Sequence, residues 1–234
     1  INLFCDKKFA LEELLKHADT AMRQAKAAGR NSFCFFDPGM QAIMEARASL
    51  ENELRHALPQ RQLRLHYQVQ VDRNGHPVGA EVLLRWQHPV QGLISPASFI
   101  PIAEETGMIL PIGNWVIETA CAQIKAWEKH PRASALCLSI NVSVRQFYQA
   151  DFVERVRNII LESEIDPARI KFELTESLVL SNIGDSIVKM KALQEIGVHF
   201  SMDDFGTGYS SLAYLTQLPL SQVKIDQTFV QNIF

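Results

Sequence analysis

Over the first sixty residues the apolar positions keep helical spacing. Leu11, Leu14, Leu15, Ala18, Met22 and Ala25 lie on one face of "LEELLKHADTAMRQAKAAGRN", which predicts a helix stopped near Gly29. "SFCFF" predicts a short strand closed by a turn at Asp37-Pro38-Gly39. Met40, Ile43, Met44, Leu50, Leu54 and Leu58 then predict a connecting helix. After Pro59 the pattern becomes strands alternating with helices. Strands are predicted at "LRLHYQVQV", "GAEVLLRW", "LCLSINVS", "IKFELTES", "HFSMDDF" and "QVKID". Helices are predicted near Pro96 to Thr106, Trp115 to Lys129, Gln149 to Ser163 and Asp185 to Ile196, with a short one after Ser210. Such alternation implies parallel pairing through right-handed crossovers. The organisation expected is an N-terminal segment 1–38 that looks like the tail of something larger, a connecting helix 39–58, and an α/β domain 59–234.

Alternate residues of a strand face opposite sides. Ala80 and Val82 flank Glu81, Ile140 and Val142 flank Asn141, Phe172 and Leu174 flank Glu173, and Val223 and Ile225 flank Lys224. Four strands thus turn apolar side chains toward covering helices and a polar one to the opposite face. Asp203 follows Met202 but is itself followed by Asp204. A barrel interior is normally filled by branched aliphatics, so these residues do not read as core. Several carboxylates converging on one space need a counter-charge. Oxygen donors from Glu81, Asn141, Glu173, Asp203 and Asp204 suit Mg²⁺ or Mn²⁺, two ions sharing Asp203, and such a pair can clamp a phosphate and activate water for in-line displacement. Lys224 is placed to orient or deprotonate that water. Arg85, on the same strand face as Glu81, is placed to hold a phosphate oxygen.

Composition narrows the field. The chain has 234 residues, 47% hydrophobic and 21% charged, ordinary for a globular protein. Its net charge of -3 gives no general attraction for a nucleic-acid polymer or an anionic membrane. No apolar stretch approaches the roughly 20 residues of a membrane helix, and "INLFCDKKF" lacks the core of a signal peptide. Cys5, Cys34, Cys121 and Cys137 have neither disulfide-framework nor zinc spacing, which points to a reducing, cytoplasmic setting. His66, His88 and His199 read as ordinary core or surface histidines, and Met108 and Trp115 as core.

"EVLLRW", "NVS", "ELTES", "DDFGTGYSSL" and "KID", in that order, resemble the EAL domain, a bacterial cyclic-di-GMP phosphodiesterase on a TIM-like barrel with one antiparallel strand. The resemblance runs from about Leu54 to the end. It implies Glu81, Asn141, Glu173 and Asp203 on one metal, Asp203 with Asp204 on the second, and Lys224 on the hydrolytic water. It further implies Arg85, Gln68 and Asp226 against the substrate. Glu176 would brace the glycine-rich loop Phe205 to Ser211, which in the family links the site to dimerisation. The triplet here is Glu-Val-Leu in place of Glu-Ala-Leu, and "YQVQ" stands where many members have Tyr-Gln-Pro. The chain stops after "KIDQTFV", before the family's last two strands, which carry a further metal-binding glutamate and a glutamine. "ADTAMRQAKAAGRNSFCFF" looks like the end of a GGDEF cyclase domain, with Lys26 and Arg30 at phosphate-holding positions, although the GGDEF signature loop is absent. Upstream sensory domains, with a possible membrane tether, are the family's usual context.

Three functions follow. The first is hydrolysis of cyclic-di-GMP to linear 5'-pGpG. The second is an inactive cyclic-di-GMP receptor or interaction module, disfavoured by the presence of every ligand within the covered span. The third is metal-assisted proton abstraction beside a carboxylate, which the adjacent Asp203 and Asp204 disfavour. Any one acid at a strand end is usually solvated or caps a helix; five at corresponding positions make a site.

Overall fold

The computed structural model describes residues 1, 10–27, 33–206, 212–226 and 229. It divides into two compact units, Ile1–His56 and Ala57–Phe234.

In the first unit, α1 (Leu11–Ala27) carries Glu12 and Glu13 in its first turn and Lys26 in its last, complementing the helix dipole. Gly29 and Arg30 fall outside the described residues, so the stop signal and the Lys26/Arg30 pair have no structural counterpart to report. Of the strand expected at "SFCFF", Ser32 lies outside the described residues and the remainder is not a strand. Residues 33–37 have no regular secondary structure, although the Phe36 amide donates to the Ile1 carbonyl at 2.8 Å. Nor do Asp37-Pro38-Gly39 make a free turn: α2 (Pro38–Ala57) begins there, and Asp37 Oδ1 accepts a hydrogen bond from the Gly39 amide at 2.8 Å. An acidic cap followed by proline at the first helical position is a helix start, and that reading prevails here.

The second unit is built on one sheet. β1 (Leu63–Val71) pairs antiparallel with β2 (Pro77–His88), on which the short β3 (Gly92–Ile94) folds back. β4 (Cys137–Asn141), β5 (Ile170–Thr175), β6 (His199–Phe205) and β7 (Gln222–Ile225) follow, each parallel to its neighbour, giving the order β1-β2-β4-β5-β6-β7. The connections carry α3 (Pro96–Thr106) and α4 (Ile109–Trp127), α5 (Val144–Phe147) and α6 (Phe152–Ser163), α7 (Glu176–Ser181) and α8 (Ile183–Gln194), and α9 (Leu212–Leu215). This is the TIM-like α/β arrangement with one antiparallel strand first. Among the described residues the sheet does not close, and β1 and β7 are its ends. β3 was not expected from the sequence.

The outer face of the sheet is the core. Val82, Ile140, Phe172, Leu174, Phe200 and Met202 are at most 4% exposed, and α4 and α8 pack on β4 and β6. Burying such side chains contributes about 1.5–3 kcal/mol each. Val223 and Ile225 depart from the expected pattern, at 40% and 67% exposed, because β7 is the end strand and its outer side is left open. Helix α4 starts at Ile109, earlier than the predicted Trp115, since Pro111 near its first turn gives up no necessary donor. Met108 and Trp115 are only half-buried. The buried Arg169 donates to the carbonyls of Leu136 (3.2 Å), Ile124 (3.3 Å) and Ala133 (3.1 Å), fixing the chain ahead of β4 against the end of α4.

Candidate active site at the strand ends

Five strands each deliver one polar side chain to the inner face. The ladder sets Asn141 beside Glu173 between β4 and β5, and Thr175 beside Asp203 between β5 and β6. Lys224 reaches in from β7. Asn141 Nδ2 donates to Glu81 Oε1 at 3.0 Å. Lys224 Nζ donates to Glu173 Oε2 at 2.7 Å, Asp203 Oδ2 at 3.0 Å and Glu81 Oε2 at 3.3 Å. Glu81, Asn141, Glu173, Asp203 and Lys224 therefore form one hydrogen-bonded cluster.

The local backbone explains why the right residues arrive. Strand β5 ends when Thr175 Oγ1 accepts from the Leu178 amide at 3.4 Å and caps α7. Glu173 stays on the strand, while Glu176 becomes the first residue of the helix and is buried. Its Oε2 accepts from the Gly206 amide at 2.9 Å, at the start of the glycine-rich segment. Residues 207–211 of that segment lie outside the described residues. Two consecutive aspartates cannot share a face of a regular strand. The regularity is broken at Asp204, whose φ of 54° is left-handed, where the β6–β7 register shifts between Met202 and Phe205. Asp tolerates this conformation better than most residues, and the Asp204 amide turns back onto Asp203 Oδ1 at 3.0 Å.

The charge balance differs from expectation in one respect. Lys224 stands among three carboxylates, so it is the positive group at the centre, and among the described residues no three His, Cys, Asp or Glu side chains form a metal cage by themselves. Glu81, Glu173 and Asp203 against one ammonium still leave two negative charges in excess, before Asp204 is counted. Burial pushes the Glu173 carboxyl up, Lys224 pulls it back, and Glu81 and Asp203 push it further up. Asp204 is raised by burial and by the neighbouring charges of Asp203 and Asp226. Burial alone would lower the Lys224 ammonium, but its bonds to Glu173 and Asp203 outweigh that and raise it well above the ordinary lysine value. Lys224 thus keeps its proton in this geometry, which suits orienting a water and not deprotonating one.

The donor set fits a hard divalent cation: Glu81, Asn141, Glu173, Asp203 and Asp204 present oxygen acceptors, and their carboxylates outnumber the single Lys224 ammonium. Gln68 sits directly opposite Glu81 in the β1–β2 ladder and is exposed. Asp226 is close enough to raise Asp204. Arg85 lies four residues beyond Glu81, about 13 Å of strand, and lines a cavity of about 300 Å³ with Asn141, Glu173, Thr175 and Glu104. Glu104 and the apolar wall from α3 and α4 (Ile100, Ile112, Val116) were not foreseen, because helical spacing alone does not say which sheet end a helix overhangs. Arg145, also unforeseen, fixes that wall by donating to the carbonyls of Glu104 and of Glu105 at the end of α3. The histidines behave as expected: His88 Nδ1 accepts from the Val90 and Gln91 amides at 3.2 and 3.0 Å, and His66 and His199 are exposed. Cys34, Cys121 and Cys137 are free thiols, Cys121 pushed by burial to about 11, and no helix among the described residues is long and apolar enough to cross a membrane.

Comparison with known proteins agrees with this geometry. Residues 51–234 match the EAL domain. The chain is 45% identical over 222 residues to the bifunctional diguanylate cyclase/cyclic di-GMP phosphodiesterase MucR of Pseudomonas aeruginosa, covering 94% of this chain and 32% of that protein. It is 38% identical over 236 residues to the cyclic di-GMP phosphodiesterase NbdA of the same organism, covering 30% of it. The solved MucR phosphodiesterase in complex with c-di-GMP superposes with a TM-score of 0.76 at 44% identity, over 79% of this chain and 75% of that one. The chain thus spans about a third of the length of these curated relatives.

Proposed function

The chain belongs to the EAL domain family, and from that premise we propose that the protein it comes from hydrolyses cyclic-di-GMP to linear 5'-pGpG in bacterial second-messenger signalling. The observation that carries the reading is the cluster in which Glu81, Glu173 and Asp203 converge on Lys224 with charge to spare. Two relatives of the same sequence class bear the name of cyclic di-GMP phosphodiesterase, and a solved relative binds c-di-GMP.

In this proposal Glu81, Asn141, Glu173 and Asp203 hold one Mg²⁺ or Mn²⁺ ion, and Asp203 with Asp204 a second. Such ions supply charge neutralisation at the phosphodiester oxygens and activation of water at neutral pH. Lys224, on a flexible four-carbon stem, would leave the centre to such an ion and donate a hydrogen bond to the attacking water. Arg85 binds a phosphate oxygen from the cavity side, and Gln68 and Asp226 contact the nucleotide. Glu176 steadies the turn at Gly206, through which the family's dimer contact would act on the site. The N-terminal unit is proposed as the end of a GGDEF domain, with further sensory segments upstream in a protein working at the cytoplasmic side.

The test is turnover of cyclic-di-GMP by the intact protein with Mn²⁺, read by chromatography of 5'-pGpG, in wild type and Glu81→Ala. Product formation that disappears in the variant supports the reading. Tight nucleotide binding without product in wild type replaces it with the receptor reading.

A further inference from the structure

Glu173 and Ser201 are direct partners in the β5–β6 ladder, so their side chains are neighbours on the inner face. The Glu173 side chain and Ser201 are fully buried, at 0% exposure each. Glu173 Oε1 and Ser201 Oγ are also the two buried side-chain polar atoms among the described residues that have no hydrogen-bond partner. Two such atoms on adjacent positions are not two separate accidents. A buried carboxylate oxygen or hydroxyl without a partner has lost its hydration with nothing in return, so native proteins rarely leave either unpaired.

We propose that one buried water joins them and makes Ser201 the residue that positions Glu173. The Ser201 hydroxyl donates to the water, and the water donates to Glu173 Oε1. The opposite oxygen, Oε2, is already held by Lys224 at 2.7 Å, so the carboxylate is fixed at both ends. The surroundings suit a water. Two residues back along the strands, the inner face carries another polar pair, the buried Ser139 hydroxyl donating to Gln70 Oε1 at 3.4 Å. The apolar Phe172, Leu174, Phe200 and Met202 all point to the other side of the sheet. A polar pocket with unsatisfied groups takes up water where an apolar one stays dry. The functional consequence rests on the metal reading above: a carboxylate whose far oxygen is held meets the ion already oriented.

Two measurements on the intact protein test this separately. A high-resolution crystal structure of the metal-free wild type is expected to show a water within hydrogen-bond distance of both Ser201 Oγ and Glu173 Oε1; its absence overturns the proposal whatever the metal does. Titration with Mn²⁺ is expected to show Ser201→Ala binding about tenfold more weakly than wild type while keeping a cooperative unfolding transition, and Ser201→Thr restoring affinity. Equal affinity in wild type and Ser201→Ala overturns the positioning role. A wild type that binds no Mn²⁺ overturns the metal reading instead, and the crystallographic water then decides the bridge by itself.

Discussion

Lys224 Nζ lies 2.7 Å from Glu173 Oε2, joining the end strand of the sheet to its most deeply buried carboxylate across the intervening β6. With Asp203 and Glu81 also on the same ammonium, one positive charge faces three negative ones, and without it all three would be uncompensated in the absence of metal.

Removing that ammonium exposes the imbalance. Lys224→Met is expected to destabilise the metal-free protein by about 3 kcal/mol, the low end for breaking a buried pair because Lys224 is 23% exposed. That corresponds to a fall of roughly 6–12 °C in the melting temperature of a chain of this size. Mn²⁺ is expected to recover most of the loss, and thermal melts with and without the ion check it.

The Glu173 carboxyl is raised in the folded state, so its protonated form favours folding. Its favourable contribution is fully present below the ordinary carboxylate value and is lost as pH climbs through the raised one. Glu173→Gln cannot lose a proton and escapes this. The melting temperature of the variant relative to wild type, both metal-free, is expected to rise by a few degrees between about pH 4 and pH 7. A difference that stays flat across that range contradicts the assignment.

Glu176 holds the turn after the paired aspartates through the Gly206 amide at 2.9 Å. Glu176→Ala leaves that amide without its acceptor and is expected to cost about 1–3 kcal/mol, while Glu176→Gln, which keeps an acceptor oxygen, costs less than half as much. Denaturant unfolding gives the energies, and faster hydrogen exchange at Gly206 in the alanine variant gives the location.

Gly113 of α4 lets the Gln146 side chain pass close by: a Cβ there would stand 2.3 Å from Gln146 Nε2 and Oε1. Gln146 is 4% exposed, and its amide group must shift to make room. Gly113→Ala is expected to destabilise by about 1–3 kcal/mol despite the better helix former. In a Gln146→Ala background the same change is expected to become stabilising by about 0.5–1 kcal/mol. A double-mutant cycle by denaturant unfolding measures the change of sign.

Much of the unit was legible in its periodicities. The strands at 63–71, 170–175 and 199–205 and the helix at 96–106 fall where alternation and helical spacing put them. Glu81, Asn141, Glu173 and Lys224 read as inward-facing because each interrupts an apolar alternation. Less legible were the places where one signal serves two structures. Asp37-Pro38-Gly39 has turn chemistry, yet the same residues open α2. Val223 and Ile225 have the pattern of a covered strand, but only the position of β7 at the end of the sheet decided that they would be open.

The sequence by itself determined which residues would face inward and that oxygen donors would predominate among them, because strand alternation is a local property of the backbone. Tertiary structure decided three other things: that the Asp203-Asp204 pair turns at a left-handed residue, that Lys224 stands among the carboxylates, and that Ser201 becomes the ladder partner of Glu173. Each depends on which strands become neighbours and in what register, and that is settled only when the whole sheet is assembled.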